Sequence, residues 1–234
     1  PHFLFNTLNL IASMAQIEDA EVTEKMIEAL SRLFRYNLKS SESVMPLERE
    51  LRVVQDYMYL QQMRFGKRIQ YQSDCAPETL PLLVPSFVLQ PLVENAIKHG
   101  LSTRSSGGRI VVRSWMDGER FRMSIADTGE GMSEERLEEV RQRLKWGERN
   151  DISSIKREEA KREDSKREDT KSGEHTGTGI GLLNIWSRIH GMYRDGEMEI
   201  YSRPGAGTVV QLAFTPEKGP ERGDSNVSGI TGRR

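Results

Sequence analysis

Apolar residues recur at spacings of three and four along Val22, Met26, Ala29, Leu33 and Tyr36, and again along Leu47, Leu51, Val54 and Met58, a line that Gln61 continues. From "RIQYQSDC" onward the period becomes two, and the switch falls near Phe65-Gly66. The first spacing builds helices that pack into bundles, and the second builds strands with one covered face. A chain of 234 residues can hold a small helical element plus one domain of ordinary size. The second part shows a helix near 85–99, strands in "RIVVRSWM" and "RFRMSIAD", helices from Ser133 and from Ile180, and strands in "EMEIYS" and "GTVVQLAF". Strands in adjacent runs, with helices between the runs, predict an α+β sandwich with a mixed sheet.

Composition narrows the function classes. The 34 basic and 35 acidic residues nearly cancel, leaving no global field to steer the protein onto nucleic acid or an anionic membrane. The single cysteine, Cys75, cannot form an internal disulfide, and no Cys/His cluster has zinc-ligand spacing, so a reducing compartment fits best. The most apolar stretch, "LPLLVPSFVLQPLV", is shorter than a bilayer span and contains three prolines, so this fragment is expected to make no membrane contact.

One internal repeat stands out, "KREEA KREDS KREDT" over 156–170. It has no apolar face, and its i, i+4 pairs stabilise a helix by only about 0.2–0.5 kcal/mol each. A solvated spacer is the simpler reading and a partner-binding segment the other. Residues 216–234, rich in Gly, Ser and charge, are expected to form a disordered tail.

Three stretches carry candidate chemistry. In "QPLVENAIKHG", Leu92-Val93 and Ala96-Ile97 occupy one side of a helix and Glu94-Asn95 and Lys98-His99 the other. That polar side combines an amide able to ligate a hard cation with two groups able to meet phosphate. Pro91 either kinks the helix or marks its start. In "RFRMSIADTGEGM", Phe121, Met123 and Ile125 share a face, and the same parity turns Asp127 inward at the strand end. A buried carboxylate needs a partner. Gly129 and Gly131 would let backbone approach a flat ligand, so Asp127 either accepts from an amino-bearing base such as adenine or belongs to ordinary turn chemistry. In "GTGIGLLNIWSRI", Gly177, Gly179 and Gly181 run into a helix with Leu182 on its apolar face, and free amides at such a start suit phosphate. Thr208 in "GAGT" either caps its turn or touches the ligand. At the other end, "PHFLFNTLNLIASM" places His2, Asn6, Asn9 and Ser13 in one polar stripe beside an apolar one of Leu4, Leu8, Ile11 and Ala15. A histidine heading such a stripe is a candidate reactive group.

Asn95 in "ENAIKHG", then "DTGEGM", "GTGIGL" and "GAGT", in that order, resemble the N box and the three glycine boxes of the ATP-binding domain shared by histidine kinases, gyrase, HSP90 and MutL. "PHFLFNTLN", "LSRLFRYNL", "MPLERELRVVQDYMYLQQMRFGKRI" and "LQPLVENAIKHG" resemble the LytS/YesM-type sensor histidine kinases in particular. The resemblance implies a helical dimerisation and phosphoacceptor segment over 1–65 and a Bergerat-type ATP-binding sandwich over 66–215, with a charged lid insertion at 147–176. It implies His2 as phosphoacceptor, Glu94 as the acid that activates the attacking group, and Asn95 as magnesium ligand. Lys98 and His99 become phosphate neighbours, Asp127 the adenine acceptor, and Gly179 and Gly181 lid glycines.

The expected activity is therefore autophosphorylation of His2 from Mg-ATP, with transfer to an aspartate of a response regulator receiver domain, in a homodimer that does not bind nucleic acid. The chain would be the cytoplasmic C-terminal piece of a membrane-anchored receptor. An ATPase clamp, in which Glu94 activates water, and a nucleotide-stabilised dimerisation scaffold are the alternatives.

Overall fold

The computed structural model describes residues 2–38, 43–102, 104, 106–149 and 178–216. Helices α1 (His2–Ile17) and α2 (Glu21–Leu38) pack as a hairpin. The chain reverses through Asp19 at φ 54°, a left-handed conformation that Asp tolerates, and Ala20 N–H donates to the Ala15 carbonyl at 2.8 Å. The hairpin buries little. Leu8, Ala15, Ala29 and Leu33 are covered, whereas Leu4 and Ile11 of the expected apolar stripe are half-exposed and Phe3, Leu10 and Ile17 face solvent.

Helix α3 (Leu47–Phe65) has two covered faces. Leu47, Leu51, Val54 and Met58, the stripe visible in the sequence, are buried in the core of the sandwich. Val53 instead joins Leu33, Tyr36 and Met45 in a second cluster against α2, where Arg32 also grips Asp56 through two 2.8 Å hydrogen bonds. One helix thus serves both parts of the chain.

The remaining elements are β2 (Ile69–Cys75), α4 (Leu89–Asn95), β4 (Gly108–Asp117), β5 (Arg120–Asp127), α5 (Glu134–Arg149), α6 (Thr178–Met192), β6 (Glu197–Arg203) and β7 (Gly207–Phe214). The five-stranded sheet has the order β2-β4-β5-β7-β6, with β2 parallel to β4 and every other pair antiparallel. Parallel neighbours require a crossover, and α4 lies in the segment that makes it. Ile110, Val112, Phe121, Met123, Ile125 and Leu212 point beneath the helices, so the mixed α+β sandwich read from the sequence is the fold observed. Phe121 and Phe214, both fully buried with ring centroids 5.0 Å apart, clamp β5 to β7. Burial of each contributes about 1.5–3 kcal/mol.

Two short strands were not anticipated. β1 (Val44–Pro46) pairs antiparallel with β3 (Leu83–Pro85), with Met45 opposite Val84, and this ribbon leads straight into α3. It also moves the start of α4: residues 83–85 are strand, Phe87 turns the chain at φ 59°, and the helix begins at Leu89 instead of residue 85. Pro91 therefore sits in the first turn, where its missing N–H has no intrahelical acceptor to lose. After Asn95 the helix widens into a π-type turn over Ala96–Leu101.

Of the lid insertion expected at 147–176, residues 147–149 belong to α5; its remainder, with the pentad repeat, Gly177 and the tail beyond Pro216, lies outside the described residues. No helix among the described residues is long and apolar enough to cross a membrane.

Candidate active site

A cleft lies between α4 with its π-type turn, α5, α6 and the sheet, walled by Leu92, Ile125, Val140, Leu182, Ile200 and Val210. Asn95, His99, Asp127, Arg136 and Thr208 are its polar lining. The cavity holds about 220 Å³, less than the roughly 300–1,000 Å³ of a complete small-molecule site. It suits a flat heterocycle with the rest of a ligand extending outward.

Asp127 stands where strand parity predicts, at the inward end of β5, opposite Ile110 on β4 and Thr208 on β7. Burial pushes its carboxyl above the ordinary value, against the backbone N–H groups of Gly129, which donates to Oδ1 at 2.7 Å, and of Thr208. A half-buried carboxylate lining an apolar cleft is a strong acceptor for a ligand donor.

The turn that follows is fixed by backbone contact. A Cβ on Gly129 would stand 2.3 Å from the Gly100 Cα, and one on Gly131, at φ 67°, would stand 1.9 Å from the Arg203 carbonyl oxygen. The close approach that these glycines permit is therefore to Gly100 and Arg203, although Gly131 also lines the cleft. Ser202 ties the same turn to the β6–β7 connection: its Oγ accepts from Met132 N–H at 2.8 Å and lies 2.9 Å from Thr208 Oγ1. The Thr208 hydroxyl thus serves the turn, and its backbone serves Asp127.

Asn95 ends α4 and faces the cleft, and its Nδ2 is buried with no hydrogen-bond partner among the described residues. Such a group is costly unless a ligand satisfies it. Which amide atom points where is an assignment, so the orphaned position equally offers Oδ1. Gly181 and Leu182 of α6 are close by, a Cβ on Gly181 lying 3.5 Å from Asn95 Nδ2. The wide π-type turn just after Asn95 carries His99 to the cleft wall.

Other expected residues lie elsewhere. Glu94 is off the cleft lining and accepts from Gln90 Nε2 at 2.8 Å. With burial, its charge helps push the Tyr57 phenol up to about 12. Lys98 is exposed and outside the lining. Gly179 lies in the first turn of α6. His2 opens α1, and the structure describes its backbone only.

Several contributors were missed in the sequence. Gly100 ends the quoted "ENAIKHG", but the surface it meets is Asp127 and Gly129, distant in sequence. Arg104, whose Nη1 donates to the Thr128 and Gly129 carbonyls, braces the same turn. Arg136, one turn into α5 after its N-cap Ser133, brings a cation to the cleft, and "SEER" directly after the glycine turn was the available signal.

Comparison with known proteins places this geometry. The histidine kinase family description matches residues 1–69, and that of the histidine kinase-, DNA gyrase B-, and HSP90-like ATPases matches 85–218. The chain is 30% identical to the sensor protein LytS of Bacillus anthracis, covering 94% of this chain and 33% of that protein. It is 31% identical to the sensor histidine kinase YpdA of Escherichia coli strain K12, covering 84% of this chain and 29% of that one. The chain thus spans about a third of the length of these curated relatives. Among solved structures, the catalytic domain of histidine kinase ThkA aligns with a TM-score of 0.48 at 18% identity, covering 74% of this chain and 93% of that one. With the ATPase match spanning more than half of its length and the kinase match spanning its helices, the chain belongs to the histidine kinase-, DNA gyrase B-, and HSP90-like ATPase family and, within it, resembles sensor histidine kinases of the LytS type.

Proposed function

We propose that the chain is the phosphoacceptor and ATP-binding portion of a two-component sensor kinase, acting as a homodimer and passing its phosphoryl group to an aspartate of a response regulator. The observation that carries this reading is one cleft with two chemically different polar groups, a half-buried carboxylate at Asp127 and, at Asn95, a buried amide atom with no partner among the described residues. Asp127 accepts from the exocyclic amine of adenine, while Leu92, Ile125 and Val210 cover the ring. Asn95 marks the phosphate end, with His99 and the Gly181-Leu182 start of α6 beside it.

The donor set fits magnesium. Among the described residues there is no group of three His, Cys, Asp or Glu able to hold a metal, and Mg²⁺ in nucleotide sites characteristically takes few protein ligands and completes its shell with phosphate oxygens and water. Asn95 would supply an amide oxygen, and the ion would contribute charge neutralisation at the phosphates.

A neutral nitrogen of His2 attacks the γ-phosphorus in line. The N–P bond forms as the bridging P–O bond breaks, and ADP leaves with the electron pair. The protein's work is positioning and electrostatics. Glu94 adjoins Asn95 on α4, and to orient the attacking group it would have to leave Gln90 and turn toward the cleft. Incubation with γ-labelled ATP should leave acid-labile, base-stable label that is lost in His2→Gln. Label surviving that substitution removes His2 as the acceptor, and turnover to free phosphate without any label favours an ATPase clamp.

A further inference from the structure

Glu50 is fully buried on α3, within the same apolar stripe as Leu47, Leu51 and Val54. Both of its oxygens are engaged across the β3–α4 turn. Oε1 accepts from Phe87 N–H at 3.0 Å, and Oε2 accepts from Val88 and Leu89 N–H at 3.1 and 3.0 Å. Those of Val88 and Leu89 are orphan amides at the start of α4, the helix that ends in Asn95, and that of Phe87 belongs to the turn before it. The Tyr36 hydroxyl of α2 donates to Oε1 and accepts from Phe87 N–H at 2.7 Å, while its ring lies against Phe87 at 4.3 Å between centroids. From the other helix that borders Asn95, Arg188 of α6 donates to the Ser86 carbonyl, with its guanidinium 5.6 Å from the Phe87 ring centroid.

An acid placed in an apolar stripe is tolerated only if its acceptors are filled, and here the fillers belong to the hairpin helix on one side and the Asn95 helix on the other. We propose that Glu50 and Tyr36 are positioning residues for phosphoryl transfer: they fix the start of the Asn95 helix to α2, so that the pose of the hairpin and the setting of Asn95 are one mechanical variable. The assignment rests on the proposed kinase reading. It concerns residues that touch neither nucleotide nor histidine.

The test is Tyr36→Phe in the full chain, which keeps the ring against Phe87 and removes only the hydroxyl. The expected result is a kcat for phosphohistidine formation lower by roughly ten- to a hundredfold, a KM for ATP changed far less, and a displaced Asn95 side-chain amide resonance. Glu50→Gln should do the same, and the double variant should lose little more than either single one, because both act through one linkage. Unchanged kcat and an unmoved Asn95 resonance in a folded Tyr36→Phe protein overturn the proposal. If the parent never labels a histidine, the kinase reading fails, and the positioning role is decided by the Asn95 resonance alone. Should the variants not fold, amide exchange of the parent decides: a non-hydrolysable ATP analogue should slow exchange at Phe87, Val88 and Leu89, and protection confined to the cleft lining overturns the linkage.

Discussion

Asn95 and Gly181 meet from two different helices, a Cβ on Gly181 falling 3.5 Å from Asn95 Nδ2. Among the described residues no group completes that amide atom, so the ligand-free form gains little from it. Asn95→Ala should therefore leave the nucleotide-free Tm unchanged or slightly raised, since an unsatisfied buried polar group costs about 1–3 kcal/mol. The same substitution should abolish the rise in Tm that Mg-ATP produces beyond ATP alone. Melting curves with and without Mg²⁺ check both, and a destabilised apo protein would mean that the amide has a structural partner.

Asp127 predicts a pH dependence. Its carboxyl lies above the ordinary value of 3.8 because it is buried. The folded apo protein therefore holds this proton more tightly than the unfolded chain does, and its ionisation costs stability as pH rises through the folded value. Adenine needs the ionised acceptor, so ATP affinity should fall as pH is lowered through a midpoint above 3.8. Asp127→Ala should bind weakly at every pH and lose the preference for ATP over GTP. Equal binding of ATP and GTP by the parent would remove Asp127 from the base site.

Gly131 and Gly205 separate strain from collision. Both have positive φ, 67° and 74°, but a Cβ on Gly205 meets nothing within 4 Å and one on Gly131 runs into Arg203 O at 1.9 Å. Gly205→Ala should cost about 1–2 kcal/mol, a few degrees in Tm for a chain of this size. Gly131→Ala should cost more and should also displace Met132 from Ser202, weakening nucleotide binding. Comparable losses in the two variants would contradict this distinction.

Deleting the charged pentads at 156–170 should leave Tm and nucleotide affinity nearly unchanged, because a segment without an apolar face has nothing to contribute to a core. A fall of several degrees would show that it packs.

What could be read from the sequence was whatever depends on local period. Strand parity turned Asp127 inward, and helical pairing put Asn95 opposite Leu92 and Val93, because both are short-range geometry. Gly100 against Gly129 was invisible, since a close approach between distant backbone segments leaves no mark beyond two common glycines. The three-residue strands β1 and β3 each contain a proline and are too short for a period to declare itself. Glu50 did leave a signal, an acid at i+3 from Leu47 and i−4 from Val54 in a stripe that is otherwise apolar. Its partners at residues 87–89 were what could not be deduced.

The β1–β3 ribbon bears on how chains of this family could be recombined. A crossover placed within 44–46 would pair a strand from one parent with Leu83–Pro85 from another, across a ladder only three residues long. Joining the parents ahead of Val44 keeps the ribbon native, but it still matches one parent's Tyr36 to the other's Glu50 and Phe87. Chimeras should therefore keep the link between α2 and the start of α4 only when these three residues are inherited as a set, whatever segment is joined in front of them.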